Sequence, residues 1–247
     1  MSPRFRELDH RPTPMGVISL RRRWDPLVGD DVYEIKLDDD FLMSSAFTAA
    51  EVEVARLALA ELRAGPGAEP PDGYDVVVGG LGLGHTALTV LDDPGVRSLL
   101  VVEALGEVVD WHREGLVPAG AVLSADPRCR LARGDFFARA LGSEGLDPEA
   151  PGSRFHAVVV DIDHSPRHLL HPSHAPFYEP EGVRRLAGSL HPGGVFALWS
   201  NDPPDAGYED VLRLAFGGVR SEVVTFASPY QEAPASNTVY LGTAPGA

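Results

Sequence analysis

Between residues 74 and 200 short apolar runs alternate with helical or loop segments, and the first run leads straight into a glycine loop. The runs are YDVVVG (74–79), SLLVVE (98–103), CRLARGD (129–135), FHAVVVDI (155–162) and VFALWS (195–200). Most are continuously apolar rather than alternating, as strands buried on both faces of a parallel sheet are. Strands that alternate with helices in this way predict an α/β fold with a doubly wound, mostly parallel sheet. Segments 221–227 and 238–243, joined by PYQEAPASN, predict a final antiparallel pair and bring the sheet to seven strands. A chain of 247 residues suffices for one such domain and a small appendage, and is short for two full domains.

The appendage precedes the first run. Residues 15–24 and 32–37 read as extended segments around DPLVGDD, a turn-rich stretch, and so predict a β-hairpin. Arg21, Arg22 and Arg23 read as a solvated strand or turn. Residues 48–63 read as a helix: Thr48 and Glu51 have capping-box spacing, and Val52, Ala55, Leu59 and Leu62 form one apolar stripe. AGPGAEPPDG (64–73) then reads as a linker. The chain thus divides into an appendage over 1–63 and an α/β core over 74–247.

The formal net charge is −15. That balance argues against a nucleic-acid partner, which needs a basic face, and suits a cationic small substrate. Cys129 is the single cysteine, so no internal disulfide forms and a reducing compartment is the natural reading. The first residues, MSPRFRELDHRPTP, contain no apolar leader core, and no apolar run is long enough to span a bilayer. A cytoplasmic protein with no membrane partner is expected.

The glycine loop runs Gly79-Gly80-Leu81-Gly82-Leu83-Gly84 and opens a helix. Glycines permit a sharp turn and close backbone approach to a ligand, and the helix start offers N–H donors. The spacing is G-x-G-x-G, not the G-x-G-x-x-G of dinucleotide binding. Glu103 ends the second run, where an acid can accept hydrogen bonds from ribose hydroxyls. Asp135 ends the third and can accept from an adenine amino group, with Phe136 or Phe137 against the ring. Asp161 ends the fourth. Each feature alone is ordinarily a tight turn or a helix cap. Together they fall, in chain order, at the strand ends where open α/β sheets bind ligands.

These segments resemble the spermidine synthases, the polyamine aminopropyltransferases, over about residues 74–200. VVVGGLGLG is similar to the family's G-G-G-D-G-G loop. LLVVEALGEVVDWHREGLV is similar to its second strand, ribose-binding acid and next helix. SADPRCRLARGDFF is similar to its D-P-R-V-x-x-x-x-G-D segment, and FHAVVVDIDHSP to its catalytic D-x-x-D-P segment. FYEPEGVRRLAGSLHPGGVFALW is similar to its helix and Pro-Gly-Gly turn. The resemblance implies a methyltransferase-like Rossmann core of the class I S-adenosylmethionine-dependent type, a small N-terminal β domain, and a homodimer. It implies a co-substrate, decarboxylated S-adenosylmethionine or S-adenosylmethionine, held by Gly79, Gly80, Gly82, Gly84, Glu103, Asp135 and Phe136. It implies transfer of an aminopropyl group to a small-molecule amine or another nucleophile. Asp161 would be the base, Asp163 would orient a cationic substrate, and His164 would share proton transfer. Gly82 stands where the family carries an aspartate, His164 where it carries its second acid. SSAFTAAE replaces its Tyr-His-Glu segment, with Glu51 as a remnant. A small-molecule methyltransferase and a catalytically silent nucleoside-binding relative therefore remain as alternatives.

Residues 161–178 hold His164, His168, His171 and His174 beside Asp161 and Asp163, with Pro166, Pro172 and Pro176. Their spacing matches no closed zinc pattern, and a stiffened substrate lid is the preferred reading over a metal site. Trp199, Asn201 and Asp202 follow the fifth run and are expected either to face the same pocket or to form a plain turn. Tyr178 reads as helix-start packing. Ser200 has no triad partner at a recognisable spacing.

Overall fold

The computed structural model describes residues 5–65, 70 and 72–246. Residues 66–69 and 71 of the expected linker, residues 1–4 of the appendage and residue 247 lie outside the described residues. The N-terminal part is a four-stranded antiparallel sheet of β1 (Phe5–Thr13), β2 (Gly16–Asp25), β3 (Asp30–Leu37) and β4 (Asp40–Ser44), paired in that order. The expected hairpin is its central pair, β2–β3. The Asp25 carboxylate fixes the turn between them by accepting from the Leu27 and Val28 amides at 2.8 and 3.2 Å. The inner face of this sheet buries Ile18, Leu20 and Ile35.

Helix α1 (Ala49–Ala64) joins the two parts and buries Val54, Ala55, Ala58, Leu59 and Leu62. Its stripe is shifted from the expected one: Val54 takes the buried position and Val52 is only half-buried. The Thr48 side chain makes no capping hydrogen bond, so the capping-box reading of Thr48 and Glu51 is corrected. The Glu51 carboxyl serves the cavity described below.

The core runs β5 (Tyr74–Gly79), α2 (His85–Leu91), β6 (Val96–Glu103), α3 (Gly106–Arg113), α4 (Gly120–Ala125), β7 (Cys129–Arg133), α5 (Phe136–Leu141), β8 (Phe155–Val160), α6 (Pro180–Gly188), β9 (Leu190–Ser200), α7 (Ala206–Leu212), β10 (Gly217–Phe226) and β11 (Ala235–Thr243). A 3-10 turn, Pro172–Tyr178, precedes α6. The seven strands lie in the order β10-β11-β9-β8-β5-β6-β7. Five are parallel; β11 runs antiparallel to β9 and to β10. The continuous apolar runs are explained by this burial: Val76, Val77 and Val78 of β5 and Val158, Val159 and Val160 of β8 are all fully buried. Chain order reverses between β5 and β8, and the crevice beyond such a reversal is where open α/β sheets take ligands. Among the described residues no helix is long and apolar enough to cross a membrane.

Candidate active site

A cavity of about 780 Å³ opens above the carboxyl ends of β5, β6 and β8. The N-terminal sheet closes one side, and the loop between β10 and β11 contributes Ser228, Tyr230 and Gln231 to another. Several links hold the N-terminal sheet over the core, among them Arg11 to Asp110 at 3.2 Å. Trp111 Nε1 donates to Asp9 at 2.6 Å, and the Tyr230 hydroxyl donates to Asp25.

The glycines of the loop after β5 divide into two pairs. Gly80 and Gly82 line the cavity. Both have positive φ, +94° and +47°, which L side chains rarely adopt. A Cβ on Gly80 would strike the Asp161 carbonyl, and one on Gly82 would lie 2.6 Å from Met43 Sδ. Gly79 and Gly84 serve packing instead. A Cβ on Gly79 would lie 2.7 Å from the Phe136 ring, and one on Gly84 2.8 Å from Ala119 and His112. His112 supports the loop from below, with Nε2 donating to the Gly82 carbonyl at 2.9 Å. Burial lowers the pKa of His112 and so keeps the ring neutral.

Glu103 lines the cavity at the end of β6. It accepts from the Leu81 amide at 2.9 Å and the Leu105 amide at 2.8 Å, so it also ties the glycine loop to the loop before α3. Burial raises its pKa, opposed by these amide hydrogen bonds. Asp135 borders the cavity and caps α5, accepting from Ala138 N at 3.0 Å. Phe136 and Phe137 border the cavity from a buried aromatic cluster.

Asp161 lies one residue beyond β8, fixed by its amide on the Gly79 carbonyl at 2.9 Å. Its carboxyl accepts from Thr86 Oγ1 at 2.7 Å. Glu51, in the first turn of α1, faces it across the cavity. Burial, and then the neighbouring Asp161 charge, push Glu51 up to about 8. Burial pushes Asp161 up to about 6, against the Thr86 hydrogen bond. Two neighbouring carboxyls resist double ionisation, so the pair favours a single proton or a bound cation.

Asp163 is not brought to the cavity. It is 1 % exposed, and its carboxylate accepts from Leu170 N at 2.7 Å, His174 Nδ1 at 2.8 Å and the Tyr178 hydroxyl at 2.9 Å. The expectation that Asp163 meets a cationic substrate is therefore corrected. The residue is the buried knot that folds loop 164–178 back over β8. Tyr178, read as packing, completes that knot. His164 does line the cavity, as do His171 and His174. His168 instead hydrogen-bonds Asp202 at 2.8 Å, and His171 bonds Ser173 at 2.7 Å, so the histidines are dispersed among separate partners. Among the described residues no three metal-ligating side chains gather.

Trp199 and Asn201 line the cavity, whereas Asp202 turns away to Ser165 and His168. The Trp199 indole Nε1 is buried and has no hydrogen-bond partner among the described residues. It is a donor available to a ligand. The acids of the lining are Glu51, Glu103, Asp135 and Asp161, and no lysine or arginine joins them. Sequence reasoning missed Met43 and Phe47 as cavity residues, and read Glu51 both as a cap and as a remnant of the resembled family's Tyr-His-Glu segment. Met43 Sδ accepts from the Leu83 amide at 2.9 Å, which seats the N-terminal sheet directly on the glycine loop.

No family model matches the chain. Solved structures do share its fold. The spermidine synthase from Thermotoga maritima superposes with a TM-score of 0.67 at 17% identity, over 96% of this chain and 72% of that one. The chain has the spermidine synthase fold. A spermidine synthase in complex with the transition state analogue AdoDATO gives 0.68 at 17% identity, over 96% and 73%. A probable spermidine synthase from Corynebacterium glutamicum ATCC 13032 gives 0.63 at 16%, over 98% and 81%. The likeness includes the N-terminal sheet as well as the core, since it covers nearly the whole chain.

Proposed function

We propose that the chain is a transferase that moves an aminopropyl group from decarboxylated S-adenosylmethionine to an amine. The observation that carries this reading is the Glu51–Asp161 carboxyl pair, set beside the glycine loop in a cavity lined by acids and by no lysine or arginine. Such a cavity suits ligands whose reacting ends are cationic. A donor carrying a free carboxylate would meet like charge there, which favours the decarboxylated form.

In this reading Gly80 and Gly82 admit the donor to the backbone of the loop. Glu103 holds the ribose, and Asp135 with Phe136 holds the base. The acceptor enters as an ammonium, with a pKa near 10 by analogy with lysine. Asp161, ionised and steadied by Thr86, accepts its proton. The freed nitrogen attacks the propyl carbon bonded to the sulfonium, the carbon–sulfur bond breaks with its electron pair passing to sulfur, and methylthioadenosine departs. Glu51 keeps the local charge matched as the proton moves. His164 and the Trp199 N–H line the same space and can hydrogen-bond the reacting ends.

Methyl transfer from S-adenosylmethionine is the second reading. Gly82, where the resembled family carries an aspartate, favours it, because that acid would contact the amine end of an aminopropyl donor. An assay of methylthioadenosine release separates the two. Asp161→Asn should lower kcat by about 10²–10⁴ while methylthioadenosine affinity changes only a few-fold. Full turnover in this variant would remove Asp161 from the mechanism, and S-adenosylhomocysteine as the product would establish methyl transfer.

A further inference from the structure

Resting on the transfer reading, we propose that the acceptor is a primary amine with an apolar body and no second charged end. The cavity is chemically two-sided. Glu51 and Asp161 form its cation-binding point beside the glycine loop. Beyond them the N-terminal sheet contributes Ile18, Ile35, Leu37 and Leu42, and Phe47 and Phe226 continue this wall. Phe47 and Glu51 both line the cavity, four residues apart in the chain. Phe47 stacks edge-on against Tyr230, with ring centroids 5.3 Å apart.

A second ammonium in the apolar part would find no carboxylate to receive it. Glu103 and Asp135 stand at the ends of β6 and β7, engaged with backbone amides. Asp163 is buried and filled by Leu170, His174 and Tyr178. Asp25, which Tyr230 contacts, is held by Arg23 and by the Leu27 and Val28 amides. Apart from the four acids, the polar lining consists of hydroxyl, amide, indole and imidazole side chains and holds no further carboxylate among the described residues. An unpaired cation placed against apolar side chains loses hydration without compensation, whereas each methylene placed there gains.

The test titrates hexylamine and 1,6-diaminohexane, which differ only by the terminal ammonium, into the full-length protein alone and with methylthioadenosine. Hexylamine should bind at least about tenfold more tightly than the diamine. Affinity should rise about three- to fourfold per methylene from butylamine to hexylamine. Leu42→Glu, which adds a carboxylate to the half-buried wall, should narrow or reverse the preference. Tighter binding of the diamine to the wild type, or binding of neither amine, overturns the inference. Methylthioadenosine release from the decarboxylated donor is followed in parallel. Hexylamine that binds but supports no release contradicts the transfer reading and leaves the amine preference standing.

Discussion

Removing either carboxyl of the Glu51–Asp161 pair should alter a different property. In the proposed transfer Asp161 is the proton acceptor, and its loss should appear in kcat. Glu51 is held protonated by burial and by the neighbouring Asp161 charge, and its loss should appear in the upper part of the pH profile. In the proposed transfer turnover needs the ionised Asp161, so kcat/KM should rise with pH through about 6 and change again as Glu51 ionises near 8. Glu51→Gln should leave the rise near 6 in place and remove the change near 8, and a profile that keeps the change near 8 would show that Glu51 is not its source. The same pair makes stability pH-dependent. Both groups have folded pKa values above their ordinary values of 3.8 and 4.5. Their contribution is therefore full below about pH 4 and is lost as pH rises toward the raised values. Glu51→Gln should raise the Tm at pH 9, by on the order of 1–2 kcal/mol of stability, and change it little at pH 5. Asp163, two residues from Asp161, belongs to the structural side of this division, because three buried donors already satisfy it.

At the scale of elements, the glycine loop has to satisfy a ligand above and helices below. Gly84→Ala tests the lower contact without touching the lining. Its φ of +91° and contacts of 2.8–2.9 Å to Ala119, His112 and Leu123 leave no room for a methyl group. Denaturant unfolding should show a loss of about 1–3 kcal/mol, and an unchanged midpoint would mean that the loop relaxes freely. The core strands were legible because burial on both faces makes them continuously apolar, as in YDVVVG and FHAVVVDI. β1 was not, since FRELDHRPT is largely exposed and polar, and β4 spans only five residues. The orientation of Asp163 was not legible either, because its partners lie 7, 11 and 15 residues away in a loop without periodicity. Glu51 was read both as a cap and as a remnant of the resembled family's Tyr-His-Glu segment, because a Thr-x-x-Glu spacing looks the same whether the glutamate turns back to cap the helix or outward to a cavity.

At the scale of the whole molecule, the cavity exists only because the two sheets meet. The core supplies the glycine loop, Glu103, Asp135 and Asp161. The N-terminal part supplies Glu51, the apolar wall and Met43, whose sulfur rests on the Leu83 amide. The net charge of −15 agrees with a cationic ligand but does not select one, and the proposal rests instead on the acids inside the cavity. The most direct measurement is calorimetric titration of the protein with S-adenosylmethionine, its decarboxylated form, methylthioadenosine and S-adenosylhomocysteine. Preference for the decarboxylated form and methylthioadenosine is the predicted result, because neither brings a carboxylate to Glu51 and Asp161. Preference for S-adenosylmethionine and S-adenosylhomocysteine would contradict aminopropyl transfer, and binding of none of the four would remove the nucleoside site itself.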